Sequence, residues 1–350
     1  MTTTLPRPPA APPADARSAR SLVDAVFRAR EISIAGALVL LLVGTWITNP
    51  RFLSDQGVKD LLLNASILVL LAVGQTVVVI TRNIDLSVGS VVGLSAFACG
   101  TFVAGTDHGP LTVLLLGTAI GVLCGLVNGA LVSFGKVPAL VVTLGTLYII
   151  QGIDYWWAQG RQISANEVPD AVLRLGSGSV LGIPYLPLLG VAVLAVTAYY
   201  LRSYRSGREL YAIGSSPQAA RLAGVPIRRR VFGAYLFSGA VAGFAGALWL
   251  ARFGTVVADN ARGWELTVVS AVVVGGVAVV GGVGSVWGAA LGALLLTTIG
   301  SVLVVLKVDA FWQGAITGAL LLAAISVDRI VNLRVTRALT KRSARHGNGA

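Results

Sequence analysis

Few residues in this chain have the types and spacing to do chemistry. The first is Asp85, in the run Thr81-Arg82-Asn83-Ile84-Asp85-Leu86-Ser87-Val88-Gly89 between two apolar stretches. An ionised carboxylate at membrane depth is expensive, so such a group lines a water path or has a partner. Arg82 is near enough in sequence to be that partner. The plainer alternative is a helix start, with Asp85 or Ser87 capping the next segment, and local capping is favoured over solute contact. Asn64, Gln75, Asn128, Thr143, Thr146 and Gln151 are polar groups inside apolar runs. Each could hydrogen-bond a polar solute, or join helices through bonds worth about 0.6 kcal/mol. Packing is the favoured reading of any one alone. As a set, with Asn83, Asp85 and Ser87, they point to a path for a polar solute.

Covalent chemistry finds no support. The two histidines, His108 and His346, fall in a loop and in the tail, so no His-based metal or catalytic cluster can be assembled. Cys99 and Cys124 lie inside apolar runs and read as small core residues, not as a disulfide or a metal site. The run from Gly129 to Gly135-Lys136 superficially resembles a phosphate-binding loop. Val137 stands where Ser or Thr should hold magnesium, and the run ends an apolar helix instead of following a strand. No nucleotide site is predicted, so any ATP hydrolysis belongs to another chain.

One polar segment is built for docking. Residues 202–230 read RSYRSGRELYAIGSSPQAARLAGVPIRRR between two hydrophobic stretches. Ser216-Pro217 is a helix start, a hydroxyl cap followed by proline at the first helical position. Gly224 suits a left-handed C-terminal cap, and Pro226 prevents continuation. The predicted helix, 217–223, has only about two turns and is marginal alone in water. Something else must hold it.

The elements that position these groups are membrane helices. The chain is 55% hydrophobic and 12% charged, against about 25% charged in soluble domains. A span needs about 20 apolar residues. The candidates are 32–48, 61–80, 87–104, 111–133, 138–152, 185–201, 231–253, 266–280, 286–305 and 311–327. Runs 138–152 and 266–280 are short and Gly-interrupted, as in broken or tilted helices buried in protein. A Pro/Ala/Arg-rich tail over 1–30 is expected to be disordered and cytosolic, with an uncleaved first span, and 330–350 forms a basic cytosolic tail. With both termini inside, twenty lysines and arginines lie inside and seven outside. That bias accounts for the net charge of +12 as topology and leaves nothing for nucleic-acid binding to explain.

Residues 87–93 (SVGSVVG) match 282–288 (GVGSVWG), each opening an apolar run. If this is a structural repeat, spans 2–5 and 7–10 are related halves. The outer loop, about 154–184, carries Tyr155, Trp156, Trp157, Glu167 and Asp170, read first as an interfacial belt and second as a docking surface for an external partner. Trp264 and Phe311-Trp312 likewise read as interface anchors. An ion-coupled secondary transporter would want several embedded acids, and only Asp85 and Asp154 qualify. An intramembrane enzyme lacks its nucleophile and base.

Taken together, LLAVGQTVVVITRNIDLSVGS (70–90), KVPALVVTLGTLYIIQG (136–152), GRELYAIGSSPQAARLAGV (207–225) and AVVVGGVAVVGGVGSVWGAALGALL (271–295) resemble the permease subunits of bacterial ABC importers for monosaccharides, over about 31–329. The 303–313 stretch and TRNIDLSVGS look closest to rhamnose-type and autoinducer-2-type permeases. The resemblance implies an all-α polytopic fold of the type II importer kind, with about ten spans, in the bacterial inner membrane. It implies a second permease chain, the same or a sister, two cytosolic ATPases that bind the ATP and magnesium, and an extracytoplasmic sugar-binding protein. It makes 217–223 the helix that couples to the ATPase, with Glu209, Tyr211, Gly214, Ala219, Ala220, Leu222, Ala223 and Gly224 matching the family segment. Arg221 is added on physical grounds, as a cation for acidic groups on the ATPase. A rhamnose-like sugar is the favoured solute, with autoinducer-2 or ribose and xylose as alternatives.

Overall fold

The computed structural model describes residues 14–309 and, beyond them, 312, 314–316, 318, 319 and 322, with side chains from residue 31 onward. Helix α1 runs Ala14–Thr48. The tail expected to be disordered to residue 30 is therefore helical from Ala14, in a stretch rich in Ala and Arg, both strong helix formers. A short 3-10 turn leads to α2 (Asp55–Val79), whose first turn is capped by the Ser54 side chain accepting from Gly57 N. Then follow α3 (Val88–Val103), α4 (Pro110–Ser133) and α5 (Ala139–Ala158). A surface excursion holds the small helix α6 (Asp170–Ser177) and a two-stranded antiparallel hairpin, Ser179–Val180 with Ile183–Pro184. The chain continues through α7 (Tyr185–Ser203), α8 (Arg205–Ser215), α9 (Pro217–Leu222), α10 (Ile227–Phe253), α11 (Trp264–Val274) and α12 (Val286–Val305).

Seven of these, α1, α2, α4, α5, α7, α10 and α12, are long and apolar enough to cross a membrane. Helices α3 and α11 have 16 and 11 residues. At 1.5 Å per residue they reach about 24 and 16 Å, short of a hydrocarbon core of about 30 Å. The expectation of a broken span is met at 266–280, where α11 stops at Val274 and turns fill the way to Ser285. At 138–152 it is not: α5 is an unbroken helix of 20 residues. Pro138 opens this helix, and Gly145 and Gly152 sit inside it without interrupting it. The expected span 311–327 lies outside the described residues apart from a few scattered positions.

Burial decides which helices form the core. In α2, 83% of the apolar window is buried inside the protein, against 17% in α1 and 22% in α4. Helix α2 is thus a central post, hydrophobic all round, as a doubly packed helix must be. Helix α10 is the second post. It meets α4 along a glycine seam: Gly117, Gly121 and Gly125 face Gly239 and Gly243 so closely that a Cβ on Gly121 would lie 2.0 Å from the Gly239 carbonyl oxygen. Helix association within lipid depends on such close backbone approach, because apolar surface alone gives no driving force there.

Two interruptions break the run of helices. Between α2 and α3 the backbone turns at Ile80–Arg82 and is irregular to Ser87; between α11 and α12 it is irregular over 275–285. The first copy of the repeated motif opens α3, and the second straddles the end of its break and the start of α12. They are three residues out of phase, however, since Ser90 is the third residue of α3 while Ser285 is the N-cap of α12.

Candidate functional site

The break before α3 is held by polar groups from four elements. Asp85 is 1% exposed. Its Oδ1 accepts from Ser87 N at 3.0 Å and Ser87 Oγ at 2.7 Å, and its Oδ2 accepts from Ser238 Oγ of α10 at 3.0 Å. The first of these bonds is a side chain taking its own backbone two residues on, an Asx turn. The expected cap is not formed: within its own segment the Asp85 carboxylate bonds only Ser87, and Ser87, the N-cap of α3, makes no side-chain cap bond. Arg82 is not the partner of Asp85. Its guanidinium turns the other way, donating from Nε to Gly214 O at 2.5 Å and from a terminal nitrogen to Ser215 O at 2.9 Å. Two serine hydroxyls and an amide supply what a cation would have supplied, at less desolvation.

Other predicted path residues converge here. Asn128 Nδ2 of α4 donates to Ser87 Oγ at 2.8 Å. Gln75, fully buried in α2, faces both backbone groups of Asp85: Nε2 donates to its carbonyl at 3.1 Å and Oε1 accepts from its N–H at 3.2 Å, the orientation that pairs donors with acceptors. Thr143 of α5 donates to Ala139 O at 2.9 Å and approaches Ile84 O at 3.3 Å. Gln75, Asp85, Ser87, Asn128 and Thr143 are thus brought together, and most of their polar atoms are engaged in fixing the break. The other four stand apart, Gln151 half-buried on α5 away from the break. Asn64 is half-buried in α2, Asn83 folds back on Thr81, and Thr146 bonds Thr143 O within its own helix. Sequence reasoning missed Ser238 and Tyr235, whose hydroxyl donates to Ile84 O at 3.2 Å. Their signal was available: two hydroxyl groups three residues apart, on one face of an otherwise apolar run.

The polar segment between α7 and α10 folds as two helices, α8 and α9. Its start and stop signals read as expected. Ser216 Oγ accepts from Ala219 N at 3.3 Å. Val225 N donates to Ala220 O and Gly224 N to Arg221 O, both at 3.0 Å, with Gly224 at φ 76, which is a Schellman ending. What holds so short a helix is α8. Glu209, 7% exposed, accepts from Arg230 Nε at 2.6 Å and Arg205 Nε at 2.9 Å, so it ties α8 to the start of α10. The Arg230 hydrogen bond, helped by Arg205, keeps the Glu209 carboxyl below its ordinary range.

The far end of α8 touches both breaks at once. Gly214 and Ser215 receive Arg82 from the first break. Gly282 N of the second break donates to Ile80 O at 2.9 Å, and Tyr211 OH donates to Gly284 O at 3.0 Å. Gly214 sits where the two meet. A Cβ there would lie 1.9 Å from Ile80 O and 2.2 Å from Gly282 N, so no other residue fits. The predicted coupling residues therefore divide. Glu209, Tyr211, Gly214 and Ala220 point into the protein, while Ala219, Arg221, Leu222, Ala223 and Gly224 are exposed. Leu222 is 90% exposed, an apolar tip on a polar surface.

Trp264, expected as an interface anchor, instead packs edge-on against Trp249 with ring centroids 5.0 Å apart. Trp156 and Trp157 are exposed, as a belt requires, and so is Trp312; Phe311 lies outside the described residues.

Residues 57–325 match the family model described as the permease component of branched-chain amino acid transport systems. Among curated proteins, the chain is 37% identical over 312 residues, 89% of this chain and 90% of the relative, to the autoinducer 2 import system permease protein LsrC of Shigella flexneri. It is 36% identical over the same coverage to the LsrC of Escherichia coli (strain K12 / DH10B). The LsrC of Klebsiella pneumoniae subsp. pneumoniae is 36% identical over 85% of this chain and 86% of its own. No solved structure matches. With seven helices long and apolar enough to cross a membrane among the described residues, two shorter apolar ones and a polar segment between α7 and α10, the chain belongs to this permease family, the membrane-spanning components of ABC importers.

Proposed function

We propose that this chain is the membrane subunit through which autoinducer-2 is imported, driven by ATP hydrolysis on a separate cytosolic ATPase and supplied by an extracytoplasmic binding protein. The observation that carries the importer reading is the α8–α9 unit, which offers an exposed apolar tip on one side and grips both helix breaks on the other. A docked ATPase that moves α9 would move Gly214 and Tyr211 with it, and through them both breaks. Such a lever switches a pore between two arrangements of packed elements. The identity of the solute rests on the relatives, which favour autoinducer-2 over the rhamnose-like sugar expected first. The basic bias of 202–230 supports a cytosolic position for α8–α9, with both termini inside. A second permease chain completes the pore.

The test is uptake in a strain lacking its own importers for these solutes. Cells expressing this permease with its ATPase and binding protein should accumulate labelled autoinducer-2 and take up labelled rhamnose, ribose and xylose more slowly. Uptake of labelled rhamnose with none of labelled autoinducer-2 would return the reading to a sugar permease.

A further inference from the structure

Away from both breaks, at the other end of α5, lies a cavity of about 100 Å³ between α3, α5, the 255–263 loop and the start of α11. It is small beside ligand pockets of about 300–1,000 Å³, and has room for a few hydroxyl groups and not for a large ligand. Its polar lining is Ser90, Gln151, Asp154, Asn260, Arg262 and Glu265. Two of these groups are buried without a partner. Asp154 is 1% exposed, and its Oδ1 has no hydrogen bond; neither has Nδ2 of Asn260. Buried polar atoms are nearly always paired, so an acceptor and a donor left open on one cavity call for a ligand.

The wall is built, not incidental. Gly93 and Gly89 on α3 allow the 260–265 segment to lie against the helix: a Cβ on Gly93 would come within 2.8 Å of Asn260 O, and one on Gly89 within 2.7 Å of Glu265 Oε2. These are the glycines of the first repeated motif. Tyr155 OH donates to Asp259 Oδ1 at 2.5 Å, and Ile163 and Val256 exchange backbone bonds of 2.9 and 3.0 Å, pinning the loop to the chain that leaves α5. Tyr148 and Arg262 are well exposed, so the cavity communicates with the surface.

We infer that this cavity is a solute-contacting subsite on the outer side of the permease, taking the hydroxyl groups of a small uncharged polyol. The inference rests on the proposed importer reading and its orientation. A hydroxyl both donates and accepts, so neighbouring hydroxyls satisfy the Asp154 carboxylate and the Asn260 amide together. The one guanidinium in the lining, Arg262, already reaches Asp259 at 3.4 Å, so the cavity offers an anion no unpaired cation. That pairing rejects an anionic solute.

The experiment uses the complete transporter in proteoliposomes, with labelled autoinducer-2 and labelled ribose as probes. Asp154→Asn and Asn260→Ala should each lower ATP-driven uptake of autoinducer-2 at least tenfold and change the autoinducer-2 to ribose ratio at least threefold. ATPase co-purification and basal ATP hydrolysis should stay within twofold of wild type. Gln151→Ala, altering a half-buried side chain on the same cavity, should change the ratio in the same direction if either of the first two fails to assemble. Variants that assemble and keep the wild-type rate and ratio overturn the subsite. So does uptake that falls only in step with the amount of assembled complex at an unchanged ratio. A wild-type transporter that moves neither solute on ATP addition overturns the importer reading itself.

Discussion

Leu222 separates docking from folding more cleanly than any other residue here. It is 90% exposed at the last turn of α9, so the permease fold does not depend on it. A surface substitution away from caps and cores changes stability by no more than about 0.5 kcal/mol, and the Schellman ending of α9 uses backbone atoms of Ala220 and Arg221, not the Leu222 side chain. If the tip enters an ATPase groove, burying a leucine contributes about 1.5–3 kcal/mol relative to leaving it in water. At about 1.4 kcal/mol per tenfold, losing it weakens the complex by roughly 10- to 150-fold. Leu222→Ala should lose part of this, and Leu222→Asp all of it together with the added cost of desolvating a carboxylate. The assay titrates the cognate ATPase onto the permease in nanodiscs and measures ATP-driven uptake with the same preparations. Thermal unfolding of the free permease should not move. Wild-type affinity and uptake in Leu222→Asp would refute the assignment of α9 as the docking element.

Other perturbations test the frame behind that tip. Gly121→Ala places a methyl 2.0 Å from Gly239 O and must push α4 and α10 apart, costing about 1–3 kcal/mol as overpacking does, whereas Gly145→Ala meets nothing within 4 Å and should cost nothing; unfolding in detergent compares the two. Ser238→Ala removes a donor from Asp85 and should destabilise by about 1.5–3 kcal/mol, and Asp85→Asn with Ser238→Ala together should cost less than the sum, because they share one bond. Additive losses would mean the bond contributes nothing. Glu209 has a lowered folded-state pKa, so its contribution is fully present above the ordinary value of 4.5 and is lost as pH falls through the lower folded value. The Tm gap between wild type and Glu209→Gln should therefore stay constant from pH 7 to near 4.5 and close below it. A gap unchanged at pH 3 would show that Arg230 and Arg205 do not act through the charge.

Local features were legible in the sequence and long-range ones were not. The caps of α9 follow from Ser216, Pro217 and Gly224 because each acts within four residues. The membrane class follows from composition, and the broken helix α11 from its short, glycine-interrupted run. Asp85 stands out in the sequence as an acid between two apolar runs, but its distal partner is out of reach. Arg82 is three residues away and Ser238 is 153 residues away, and only the crossing of α3 with α10 brings the second one in. The four glycines at four-residue spacing in α4 announce a close helix contact without saying with which helix. The role of Gly214 depends on three strands of backbone converging, which no local pattern encodes. Run 138–152 looks interrupted in the sequence because glycine is a poor helix former and the run carries two, Gly145 and Gly152. Both face open space, and helix α5 continues through them.

The central claim is that ATP hydrolysis on a partner, acting through α8 and α9, moves solute through this chain. Its most direct test is uptake of labelled autoinducer-2 into vesicles carrying the complete transporter. The account predicts uptake that stops when internal ATP is depleted and persists when an ionophore collapses ion gradients. Uptake that survives ATP depletion and stops with the ionophore would contradict it, and would make this chain an ion-coupled carrier.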